Sequence, residues 1–226
     1  MNQETLLNSK TKFENHYSGN ESVFSDEIPP TKIITAVSKP KSFCIGMVDI
    51  VDSTKTVDQL SSDEVPKYYE IFLNNMAKAV NSNNGDILKM MGDSLLFYFQ
   101  DTCNPENNSG FLDAMECGFS MINMHDKLNN ILERYALPSI DFRISFDYGN
   151  VTVMKTKNGL IDLVGPTINT CAKINTLADR NNMVIGRTVY KKIKAFDQFI
   201  FKRIDDFEVH STHSYPVYEI SKKSAS

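Results

Sequence analysis

Two apolar runs, DILKMM over residues 86–91 and SLLFYF over residues 94–99, are separated only by Gly92 and Asp93. Two runs of strand length joined by two turn residues predict a β-hairpin with a tight turn. The hairpin commits this part of the chain to an antiparallel pair and leaves two charges to explain. An unpaired ammonium inside a buried strand is costly. Lys89 is therefore either an edge lysine, its stem on apolar surface and its head in water, or a donor to a ligand. Asp93 sits at the tip of the turn.

The other elements follow from periodicity. SFCIGMVDI, residues 42–50, is an apolar run of strand length ahead of the polar VDSTKT. Val65, Tyr69, Phe72, Met76 and Ala79 alternate spacings of four and three, the stripe of an amphipathic helix, which NSNNG ends. Leu112, Met115, Phe119 and Ile122 form a second helical stripe, continued by Leu128, Ile131 and Leu132. DFRISFDYGNVTVMK is expected to be a strand pair turning at Gly149 and Asn150. VGPTINTCAKINTLA predicts a helix with Pro166 in its first turn, where the missing amide costs nothing. NMVIG, FIFKRI and YPVYEI are later strands. The order β-α-β-β-α-β, with further α and β elements appended, predicts a ferredoxin-like α/β (α+β) sandwich with helices covering one face. Residues 42–226 form that domain. Residues 1–41, with the turn-forming EIPPT and SKPK, are a polar arm or linker whose Phe13, Phe24 and KIITAV could dock on it.

Composition narrows the partners. A net charge of -4 and a sequence pI near 5.6 give no broad basic field, so nucleic acid is not an expected partner. Cys44, Cys103, Cys117 and Cys171 are scattered with no CxxC pair, and no signal-peptide pattern opens the chain. Reduced thiols and a cytoplasmic protein are the simplest reading. No apolar run approaches the length of a membrane span.

Asp49 closes an apolar strand and Asp93 tips the hairpin. In a ferredoxin-like sheet the hairpin pairs beside the first strand, so the two carboxylates can converge on a hard divalent cation. Either one alone is better read as a turn residue or helix cap. Asp162, in LIDLVG, is an acid among apolar residues. Asn169 and Lys173, four apart, share a helix face beside the core stripe of Cys171, Ile174 and Ala178. On spacing alone they are a solvated face.

Taken in order, FCIGMVDIVDST, GDILKMMGDSLLFYF, FRISFDYGNV and IDLVGPTINTCAKI resemble the successive motifs of the class III nucleotidyl cyclase catalytic domain, over roughly residues 41–194. The resemblance implies an adenylate cyclase that makes cyclic AMP and pyrophosphate from ATP. Two Mg²⁺ or Mn²⁺ ions would be held by Asp49, Asp93 and the backbone carbonyl of Ile50. Lys89 and Asp162 would read adenine, guanylate cyclases of the family usually placing Glu and Cys there. Ser53 and Thr54 would bind substrate in the loop after Asp49. Asn169 would orient the ribose, Lys173 would stand where a transition-state arginine is usual, and Arg143 would meet the triphosphate. Family sites form between two catalytic domains, which implies a homodimer with two equivalent sites and leaves room for a regulatory partner.

Two residues depart from the pattern. Lys173 supplies a point charge in place of a planar fork. Asp52 stands where glycine is usual, its charge either opposing the triphosphate or capping the next turn; Arg180 lies too far along the chain to be a clear substitute for the missing arginine. Two alternatives stay open, the first of them on these departures. One is a catalytically weak or inactive nucleotide-binding module. The other is a cyclase for GTP or a pyrimidine nucleotide.

Overall fold

The computed structural model describes residues 34–36, 39–156, 159–208 and 214–223; Phe13 and Phe24 of the polar arm lie outside them. The first described element is a short strand β1 (Ile34–Ala36), followed by β2 (Lys41–Ile50), the short helix α1 (Ser53–Val57) and the long helix α2 (Glu64–Ser82). The expected hairpin is β3 (Asp86–Met91) and β4 (Ser94–Phe99), with Gly92 at a φ of 64° in its turn. Helices α3 (Asn108–Asn123) and α4 (His125–Arg134) lead to β5 (Phe142–Thr156) and β6 (Ile161–Val164). Helix α5 (Pro166–Asn175), β7 (Asn182–Gly186), α6 (Arg187–Ile193), β8 (Phe199–Glu208) and β9 (Ser214–Lys222) complete the chain.

The main sheet runs β3-β4-β2-β5-β7-β9-β8, with β5 parallel to β7 and the other neighbours antiparallel. Its first four strands have the neighbour order of the ferredoxin-like unit, as expected from sequence. Phe72, Met76 and Ala79 of α2 pack with Phe111 and Met115 of α3 and Leu128 of α4 against Val48, Phe97 and Phe146 of the sheet. No helix among the described residues is long and apolar enough to cross a membrane.

Three expectations are corrected. The second helical stripe belongs to two helices, because Met124 breaks the run: its N–H is shared between the carbonyls of Ser120 and Met121. Helix α4 is then anchored by Asn129, which bonds both backbone groups of Ile140. The strand pair turning at Gly149 and Asn150 is instead one strand, since Gly149 and Asn150 stay in register opposite Phe43 and Ser42. A glycine is needed there for a different reason: a Cβ would fall 2.7 Å from the hydroxyl oxygen of Thr167 on α5. The strand runs on to Thr156, and its far end pairs with β1 and β6. Finally, the helices do not all cover one face. Cys171, Ile168 and Ala172 of α5 pack with Val151, Val153 and Leu163 over Phe43, Ile45, Met47 and Leu96 on the opposite face.

Gly46 shows how tightly the face under α2, α3 and α4 is filled. A Cβ there would lie 2.3 Å from Cε2 of Phe97 and 2.8 Å from Cε1 of Phe146, two fully buried rings packed edge to face. Neither ring can swing clear, so Gly46→Ala is expected to cost about 1–3 kcal/mol. Chemical denaturation reads this as a lower midpoint at unchanged slope.

Asp147 on β5 is a buried acid, 3% exposed, whose Oδ1 accepts from the hydroxyls of Thr188 and Tyr215. Burial pushes its carboxyl from 3.8 up to about 6, against the pull of those hydroxyls and the Tyr148 N–H. The folded state therefore holds the proton more tightly than the unfolded chain. Stability from this group is full below about 4 and is lost as pH rises through about 6. At about 1.4 kcal/mol per unit the loss amounts to at most about 3 kcal/mol. Asp147→Asn keeps the acceptor and removes the charge. It is expected to raise the urea midpoint at pH 7.5 and to flatten the fall in stability between about pH 4 and 7.

Candidate active site

Asp49 lies one residue from the C-terminal end of β2, opposite Ser94 on β4 and Arg143 on β5. Residues directly opposite across antiparallel strands share a face, so the three side chains stand in a row on the face that carries α5. The Ser94 hydroxyl donates to Oδ1 of Asp49. Burial pushes the Asp49 carboxyl above the usual range; the Asp93 charge adds to this, while Ser94 and Arg143 pull it down. Asp93, in the turn next to Ser94, is thus close enough for the two acids to feel one another. Arg143 keeps one donor to spare, since its buried Nε has no hydrogen-bond partner. The buried amide of Asn175 ties the last turn of α5 to this row, donating to the carbonyls of Met47 and Arg143 at 3.3 Å each.

The donor set suits a hard cation. Among the described residues no three His, Cys, Asp or Glu side chains converge on one metal position. Two carboxylates with an adjoining backbone carbonyl are what a Mg²⁺-like ion uses when phosphate and water fill its remaining positions. A cation between the two acids would also balance the Asp93 charge that pushes the Asp49 carboxyl up.

Lys89, opposite Leu96 in β3, faces the same side of the sheet. Its Nζ lies 2.9 and 2.7 Å from the two carboxylate oxygens of Asp162 on β6, and Oδ1 of Asp162 also accepts the N–H of Leu163. The two charges that looked out of place in apolar runs are thus each other's partner. Both side chains keep about a third of their surface exposed, 38% and 34%, so the pair can be approached from solvent.

The remaining candidates are more open. Ser53 and Thr54 begin α1, half-buried and exposed respectively. Asn169 and Lys173 are exposed on the outer side of α5, whose inner side buries Cys171 and Ile174. Asp52 neither caps α1 through its side chain nor stands alone as a charge. Its backbone is left-handed at φ 55°, and its carboxylate pairs with Arg180 at 2.6 Å and with Lys55 at 3.5 Å. Ser94, Asn175 and Asp141 are residues that the sequence reading does not single out, and Arg180 enters it only as too distant a substitute for the missing arginine. Ser94 carried a signal in following Asp93 directly; the others meet partners more than thirty residues away, which no local pattern reveals.

The model of the adenylate and guanylate cyclase catalytic domain matches residues 36–222. No curated protein matches this chain. In fold the chain is similar to the adenylyl cyclase CyaB from P. aeruginosa, at 18% identity and a TM-score of 0.73 over 82% of this chain and 96% of that one. It is similar to the guanylyl cyclase Cya2, at 20% identity and 0.74 over 82% and 94%. A third likeness is the guanylate cyclase domain of RhGC from Catenaria anguillulae in complex with GTP, at 19% identity and 0.69 over 83% and 100%.

Proposed function

The chain belongs to the adenylate and guanylate cyclase catalytic domain family, and from that premise we propose that it is a homodimeric, cytoplasmic adenylate cyclase converting ATP to cyclic AMP and pyrophosphate. The observation that carries the choice of base is the ion pair of Lys89 with Asp162. Adenine offers an exocyclic amine to the carboxylate and a ring nitrogen to the ammonium; guanine offers the opposite pattern at those edges.

In this reading Asp49, Asp93 and the Ile50 carbonyl hold two Mg²⁺ or Mn²⁺ ions, which would lower the pKa of the ribose 3′-hydroxyl and neutralise charge on the phosphates. Arg143, with its spare donor, binds the triphosphate beside them, helped by Ser53 and Thr54. Asn169 orients the ribose so that its 3′-oxygen meets the α-phosphate in line. Lys173 supplies positive charge as pyrophosphate departs. Met91, Leu160 and Val164, each two residues along the chain from Lys89 or Asp162, are exposed apolar side chains and support a second copy docking here. Each copy would bring Lys89, Asp162, Asn169 and Lys173 to the metal ligands of the other. The free cysteines agree with a cytoplasmic setting.

The weak-enzyme alternative keeps one foothold, Lys173, because an exposed ammonium lacks the fork geometry of arginine. Product chromatography after incubation with ATP, GTP, CTP and UTP separately, with Mg²⁺ and then Mn²⁺, separates the readings. Cyclic AMP as the dominant product is expected. A different cyclic nucleotide overturns the base assignment, and no cyclic product from a verified dimer favours nucleotide binding without turnover.

A further inference from the structure

Arg180 is a surface arginine with an uncommon placement. One of its nitrogens lies 2.6 Å from Oδ2 of Asp52 and the other 2.9 Å from Oδ2 of Asp141. The fork thus bridges the loop after β2 to the residue before β5, from the loop before β7. Asp141 is held further by the Asn181 amide at 2.6 Å and by His125 at 3.3 Å. Asp52 is the residue that needs explaining. It sits two positions beyond Ile50, in a left-handed conformation (φ 55°) that glycine adopts without cost, and it brings a negative charge to the loop beside the metal ligands.

Attachment alone does not account for the bridge. The Val51 N–H donates to the Asp141 carbonyl at 2.9 Å, and the Thr56 N–H donates to the Asp52 carbonyl at 3.2 Å, so the backbone already fixes this loop. Arg180, Asp52 and Asp141 are 56%, 44% and 33% exposed, and exposed ion pairs add little stability. What the guanidinium adds is charge at one point. Lys55, 81% exposed and 3.5 Å away, is a weaker counter-ion.

We propose that Arg180 is a positioning residue for the nucleotide: by holding the Asp52 carboxylate to itself and Asp141, it keeps the approach to the metal ligands open to a triphosphate. This rests on the cyclase reading. The test is calorimetric binding of the Mn²⁺ complex of a non-cyclisable α,β-methylene triphosphate, in adenine and guanine forms, to the full chain at low salt. Arg180→Ala is expected to weaken binding about tenfold, one unneutralised charge facing an anion. Adding Asp52→Gly to it is expected to restore affinity to within about threefold of wild type, with Asp52→Gly alone near wild type. Arg180→Lys, which keeps the charge, is expected to lose less than Arg180→Ala. A purely structural bridge would give the reverse: Asp52→Gly as damaging as Arg180→Ala, and no rescue in the pair. That result, or Arg180→Ala binding as wild type does, overturns the proposal and leaves the cyclase reading standing. A folded wild type that binds neither analogue overturns both.

Discussion

Asp49→Asn is expected to lower cyclase turnover by roughly a thousandfold while leaving the melting temperature no lower than that of the wild type. The two effects share one cause. Asp49 is held as a carboxylate against its surroundings: burial raises its proton affinity, and the Asp93 charge raises it further. An amide of the same shape still accepts from Ser94 and removes the unfavourable charge, so the fold gives up nothing. The proposed metal site gives up an anionic ligand that an amide replaces poorly, since hard cations favour charged oxygen. Asp93→Asn is expected to act in the same direction, and by relieving Asp49 it should bring that carboxyl back toward its usual range. Initial rates with Mn²⁺ and thermal unfolding of the same preparations check this. Turnover within tenfold of wild type in both variants would sink the metal assignment. A large fall in melting temperature would mean that these acids hold the fold.

What the sequence made legible was local or ordered along the chain. The β3–β4 hairpin could be read because its strands, turn residues and partner all lie within residues 86–99, and Pro166 marked the start of α5 in the same way. The errors came where a local signal met a distant partner. Gly149 and Asn150 carry turn chemistry, yet Gly149 is small because Thr167 on α5 comes close, and Asn150 bonds Ser42 across the sheet at 2.7 Å. The break between α3 and α4 has no proline or glycine to announce it; what anchors the second helix, Asn129 on Ile140, joins residues separated by a loop. At the candidate site, Asp49, Asp93, Lys89 and Asp162 were visible as charges out of keeping with apolar runs. The resemblance brings Lys89 and Asp162 to one base, but no local pattern reveals that they bond each other, because 73 residues separate them. Asp147 was missed for the opposite reason. Its neighbours in FRISFDYGNV read as an ordinary strand, and only the fold brings Thr188 and Tyr215 to it.

The double substitution Lys89→Glu with Asp162→Cys is expected to change the ratio of kcat/KM for GTP over ATP by roughly a thousandfold, reversing the preference. The argument starts from the ion pair. With Nζ bonded to both oxygens of Asp162, each side chain fixes the other's position before any base arrives, and their unlike charges define one donor and one acceptor edge. Changing Lys89 alone puts a second carboxylate beside Asp162, and the repulsion spoils the site for either base. Changing Asp162 alone leaves an ammonium without its counter-ion and adenine's amine without its acceptor. Each single variant is expected to lose about tenfold or more on ATP without a matching gain on GTP. Only the pair replaces one consistent pattern with another, so the four enzymes should be strongly non-additive. Measuring kcat/KM for both nucleotides across that cycle decides the matter. A double variant that still prefers ATP, or single effects that simply add, would place base recognition elsewhere and reduce the Lys89–Asp162 contact to a tie between β3 and β6.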